Sequence, residues 1–107
     1  MELLQGTLDL LILRTLLPGP RYGHAIAKAI EFNSEVVLQV WSTDHFIRRC
    51  HRQIKRSWIS VKEGTSENNR RSKFYRLTAK GRRPLDLETR KWDKLAGTIA
   101  RILRPAE

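Results

Sequence analysis

Apolar positions crowd the first seventeen residues. From Thr7, a suitable N-cap, Leu8, Leu11, Ile12, Leu13, Leu16 and Leu17 cover an arc wider than one helix stripe needs, which predicts a helix buried on more than one side. Pro18-Gly19-Pro20 ends it, and Tyr22 to Glu31 predicts a second helix with Ile26, Ala29 and Ile30 inward and Asn33-Ser34 closing it. The β-branched run from Val36 to Trp41 suggests a short strand. Ser42-Thr43-Asp44 then offers caps for a third helix reaching about Arg56. On it Phe46, Ile47, Cys50, Ile54 and Trp58 share an arc roughly 120° wide, opposite His45, Arg48, Arg49, Arg52, Lys55 and Arg56. One face packs and the other is cationic.

Downstream, Trp58 to Lys62 and Ser72 to Thr78 alternate with period two around a polar loop, predicting a β-hairpin in which Ile59 and Val61 match Tyr75 and Leu77. Asn68 and Asn69, which tolerate left-handed backbone, tip the loop, and Arg70, Arg71 and Lys73 arm its return strand. Thr78 caps a last helix whose Leu85, Trp92, Leu95 or Ala96, Ile99 and Ile102 or Leu103 recur at nearly seven-residue spacing, a seam suited to another helix.

Charge sharpens this picture. Of 107 residues, 21 are Lys or Arg and 11 Asp or Glu, a net charge of +10. Residues 44–83 hold thirteen of the cations and three of the anions, so the whole excess sits in this stretch, from the third helix through the hairpin to the start of the last helix. A solvated surface normally mixes both signs, so such concentration points to a polyanion as partner. The single cysteine, Cys50, excludes an intrachain disulfide, and with three histidines it makes no zinc spacing; a reducing cytoplasm is expected. The leucine-rich start is interrupted by Gln5, Asp9 and Arg14, lacks a basic lead and a small-residue cleavage site, and is too short to span a bilayer. No Gly-rich phosphate loop or nucleophile elbow is present, and Cys50 lies on the apolar arc, so neither an enzyme, a cofactor nor a metal site is expected.

Three helices, a hairpin and a further helix predict a mainly α fold with a β-hairpin wing, a winged helix-turn-helix over residues 1–78 followed by a dimerisation helix over 79–107 in one compact unit. In this arrangement the third helix enters the major groove, with Arg48, Arg49 and Arg52 as candidates for guanine edges and His45 beside them. A basic RNA-binding or ribosome-associated protein is the alternative, in which Phe74 or Tyr75 would stack on bases, although the hairpin's alternation assigns Tyr75 to the core.

The residues Leu3 to Leu13 (LLQGTLDLLIL), Tyr22 to Ala27 (YGHAIA), Trp58-Ile59, the wing and its exit from Ser66 to Gly81 (SENNRRSKFYRLTAKG), and the Trp92 helix together resemble the PadR family of bacterial transcriptional regulators, in its short form with one C-terminal helix. The resemblance spans nearly the whole chain and is most specific in the wing. It implies a homodimeric repressor on a palindromic operator in duplex DNA, nucleoid-associated in a bacterial cytoplasm. It also implies groove or phosphate contacts at Tyr22, Arg52, Asn69, Arg70 and Lys73, and a small aromatic effector sensed near Trp92. The expected DNA-binding set is thus Tyr22, Thr43, His45, Arg48, Arg49, Arg52, Asn68, Asn69, Arg70, Arg71 and Lys73. The expected dimer set is Leu4, Leu8, Leu11, Leu85, Trp92, Leu95, Ile99 and Leu103. The third helix departs from the family pattern, which places leucines where Cys50 and Gln53 stand here. Its inner face is expected to have shifted, either by rotation of the helix to bury Ile54 in place of Gln53, or by looser packing that orders on DNA.

Overall fold

The computed structural model describes residues 5–34, 43–65 and 71–105, with backbone alone for residue 5 and residues 43–45. In chain order the elements are α1 (Gln5–Thr15), β1 (Arg21–Tyr22), α2 (Gly23–Asn33), α3 (Thr43–Lys55), β2 (Ile59–Thr65), β3 (Arg71–Leu77) and α4 (Ala79–Leu103). The architecture is the expected winged helix-turn-helix, mainly helical with an antiparallel wing. The expected strand at 36–41, Leu4, Asn68, Asn69 and Arg70 lie outside the described residues, as do the side chains of Thr43 and His45. Among the described residues no helix is long and apolar enough to cross a membrane.

Core formation follows the apolar periodicity. Leu8, Ile12, Leu13 and Leu16 of α1 meet Ile26 and Ile30 of α2, Phe46 and Cys50 of α3, Ile59 and Tyr75 of the wing and Leu85 of α4 in one buried cluster. α1 therefore touches α2, α3 and α4, which is why its apolar arc is so wide. That width is used inside the protomer: Leu8 is fully buried, Leu11 packs against the core, and Leu85 is buried as well. These three expected dimer residues are core residues of their own chain. α1 also begins at Gln5, so Thr7 sits within the helix and does not cap it.

The wing is longer than the sequence suggested and gains a third strand. β3 lies centrally between β1 and β2, with Ile59 opposite Leu77 and Val61 opposite Tyr75, the expected register, and with Arg21 opposite Tyr75 and Tyr22 opposite Phe74 on the other edge. Two residues after a proline pair carry little strand signal of their own; β1 exists because β3 offers it a ladder.

Two joints fix α3 and the last helix to this wing. At the end of α3 the Trp58 amide donates to the Gln53 carbonyl at 3.0 Å and the Ser57 amide to that of Ile54 at 2.9 Å. Ser57 takes the left-handed position of this Schellman cap at φ 62°, where glycine is usual. The Thr78 hydroxyl caps α4 as expected, accepting from the Gly81 amide at 3.0 Å and donating to the Ser57 carbonyl. Gly81 has to be glycine because a Cβ there would stand 2.1 Å from the Trp58 carbonyl oxygen.

Candidate nucleic-acid interface

α3 presents its open face through side chains at i, i+3 and i+4 spacing. Arg48, His51, Arg52 and Lys55 are exposed and line one shallow hollow with Ile47. Among the described residues none of Arg48, Arg52 and Lys55 is held in an ion pair. Arg56, which the sequence placed on the same cationic arc, instead lies over the Trp58 ring at 4.8 Å from its centroid, a cation–π contact that turns it toward the α3–β2 joint.

Arg49 departs from the expectation. It is only 8% exposed, and its guanidinium makes a two-pronged ion pair with the Asp9 carboxylate of α1: Nε donates to Oδ1 at 2.7 Å and the second nitrogen donates to Oδ2. The Asp9 hydrogen bond raises the Arg49 pKa above its ordinary value while burial opposes it, so the charge is neutralised inside the protein. Arg49 is therefore a structural cation and leaves the set of base-reading candidates. Gln53, 1% exposed, donates to the Asp9 carbonyl at 3.1 Å. Position 53 thus stays inside and Ile54 is only partly buried, so the helix has not rotated as one of the two expectations required. A polar seam of Asp9, Arg49 and Gln53 holds α3 where an apolar one was expected.

The second element of the surface is a cleft of about 470 Å³ between α2, α3 and β3, lined by Tyr22, Gly23, Lys28, Phe46, Ile47 and Lys73 among others. The first turn of α2 opens onto it. Tyr22 holds the N-cap position without a side-chain cap hydrogen bond, and the helix dipole favours an anion at this end of α2. Lys73 reaches the same cleft from the wing, because β3 alternation puts it on the face of Tyr75. Tyr75 is buried, as the alternation predicted. Arg71 is exposed one step further along β3, toward the wing tip. Lys28 and His51 were not among the expected contacts, and Lys55, which the sequence placed on the cationic arc, was not in the expected binding set. Helical spacing from Arg48 could have found His51, whereas Lys28 joins only through the tertiary approach of α2 to the wing.

α4 supplies a different surface. Beyond Leu85 its apolar residues are uncovered: Trp92 is 49% exposed, Leu95 57% and Ile99 44%, with Ile102 and Leu103 more exposed still. The molecule measures 59 Å along its longest axis against 29 and 22 Å across. Among the described residues no group of His, Cys, Asp or Glu is placed to hold a metal ion.

No family model matches the sequence, and no curated protein matches it. Solved structures do. A transcriptional regulator from Clostridium thermocellum is 23% identical with a TM-score of 0.83, over 94% of this chain and 93% of that one. A PadR family transcription regulator from Clostridium difficile is 21% identical with a TM-score of 0.75, over 90% and 97%. A PadR-like transcriptional regulator from Bacillus cereus is 20% identical with a TM-score of 0.78, over 94% of each chain. The chain has the fold of these regulators along nearly its whole length.

Proposed function

We propose that this chain is a PadR-like, sequence-specific DNA-binding transcription regulator that represses as a homodimer on a palindromic operator. The observation that carries this reading is the set of cations on the open face of α3 that make no ion pair among the described residues, beside a wing lysine and the start of α2. Proteins of this fold whose names state regulation of transcription support it. In this reading α3 enters the major groove, with Arg48 and Arg52 toward base edges and His45 and Thr43 near the helix start. Tyr22, Lys73, Arg71 and the wing residues Asn68, Asn69 and Arg70 hold phosphates. Residues 1–78 form the reading module, and 79–107 pair two copies through Trp92, Leu95, Ile99 and Leu103, whose exposure would otherwise cost solubility. An aromatic effector stacking on Trp92 would act at that seam and would quench its fluorescence.

Two-fold pairing sets half-sites about one helical turn apart. Selection of bound duplexes from a random pool tests the reading directly. Recovery of an inverted repeat at that spacing supports it. Stronger binding to single-stranded RNA than to any duplex overturns it.

A further inference from the structure

The wing carries a second cationic surface on the side turned away from the core. Alternation along β2 and β3 sorts the side chains: Val61, Glu63, Lys73 and Tyr75 fall on the core side, while Ser60, Lys62, Gly64, Ser72, Phe74 and Arg76 fall on the outer side. Tyr22 pairs with Phe74, its ring meeting that of Phe74 edge-on at 6.1 Å, while it also lines the cleft. The same alternation removes Glu63, the one acid of β2, to the opposite face, directly across from Lys73.

Lys62 and Arg76 line a hollow with Phe74 and Pro20, and Arg76 continues into a second hollow with the turn at Leu16–Pro20 and with Arg82 of α4. Among the described residues no acid lines either hollow. Arg82 has an acid within reach along its own helix at Asp86, but that carboxylate is held by Arg90 at 2.9 Å. Among the described residues Lys62, Arg76 and Arg82 make no ion pair. Three cations along one open groove beside Phe74, with no counter-charge among the described residues, make a positive surface that an anion would neutralise.

We infer that this outer groove, running from Lys62 through Arg76 to Arg82, is a second binding surface for the phosphate backbone of duplex DNA, taken from the sequence flanking the site that α3 reads. β3 carries both surfaces, Lys73 on one face and Arg76 on the other, so the groove lies across the thickness of the wing from the cleft. The groove carries no base-reading geometry, and its contribution is sequence-independent. This inference rests on the DNA-binding reading above.

The test measures binding of a 30-base-pair random-sequence duplex by fluorescence anisotropy across a salt series. Each phosphate contact contributes about 0.9 to the slope of log K against log salt, so a K62A/R76A/R82A variant is expected to lower the slope by about two to three per protomer. A K94A/R101A/R104A variant, which removes the same charge from the far part of α4, is expected to keep the wild-type slope. If the groove variant keeps it too, or loses no more than the control, the groove is a solvated surface and the inference falls. An R52A/K73A variant separates this from the parent reading: if it leaves duplex affinity unchanged, the assignment of α3 and the cleft fails instead. The substituted residues are all exposed, and an unchanged thermal midpoint confirms that the folds compared are the same.

Discussion

Asp9 on α1 and Arg49 on α3 form a buried ion pair forty residues apart in sequence, with both guanidinium prongs on the carboxylate and the Asp9 carbonyl taken by Gln53. The pair lies between the helix that anchors the core and the helix that presents Arg48 and Arg52, so it sets the height and rotation of α3. Removing one member leaves the other charged, buried and unpaired. Asp9→Asn is expected to cost about 3–5 kcal/mol, read as a shift in the denaturant midpoint, whereas the apolar pair Asp9→Leu with Arg49→Met should recover most of that loss. Equal losses in the single and double variants would show that the pair does not act as a unit.

In the proposed function α3 takes base contacts and the wing takes phosphate contacts. Arg52→Ala is expected to narrow the preference for selected over random duplex by about 1–3 kcal/mol, and Lys73→Ala to weaken both alike and lower the salt slope by about 0.9 per site. Anisotropy titrations on the two duplexes decide it, and a reversed pattern would exchange the roles.

Along α4 the uncovered seam predicts pairing. Ile99→Glu places a charge among Trp92, Leu95 and Leu103, and is expected to shift a dimer to monomer in sedimentation equilibrium at micromolar concentration while leaving far-ultraviolet dichroism of the reading module intact. A wild-type protein that sediments as a monomer would rule the seam out.

Ser57 spends its conformational energy on a left-handed cap. Ser57→Gly removes the Cβ clash at that position and is expected to raise stability by about 1 kcal/mol, against a smaller effect at an ordinary loop serine. Chemical denaturation measures the gain, and a destabilised variant would mean that the cap is not strained.

Cys50 is fully buried, and burial, aided by the Asp9 charge, pushes its thiol up to about 12. Folding therefore favours the protonated thiol. This contribution is complete below the unfolded value near 9.0 and is lost as pH rises toward 12. Denaturant midpoints should fall over that window more steeply than in a Cys50→Ala variant. At pH 8 a thiol reagent should label the cysteine only on unfolding, and rapid labelling of the native protein would place it at the surface.

Much of the fold was legible because local periodicity and caps agree with it. Thr78, the hairpin register and the inner residues of α2 stand where the pattern put them. The candidate site was legible in part. Arg48, Arg52 and Lys73 lie open as expected, but an arginine on a cationic arc looks the same whether it faces solvent or a carboxylate on another helix. Asp9, read from the sequence as an interruption in an apolar run, is what draws Arg49 inside. Helical wheels report direction around one axis and carry no information about the neighbour that lies there.

By itself the sequence determined the order of the helices and the hairpin, the cap at Thr78 and the gathering of charge in the middle of the chain, since these depend on spacings of a few residues. Tertiary structure decided which cations remain free. α1 reached across to neutralise Arg49, β3 recruited a third strand, and alternation divided the wing's charges between two faces. Each depends on contacts between distant segments, where burial and Coulomb attraction, not local propensity, choose the partner.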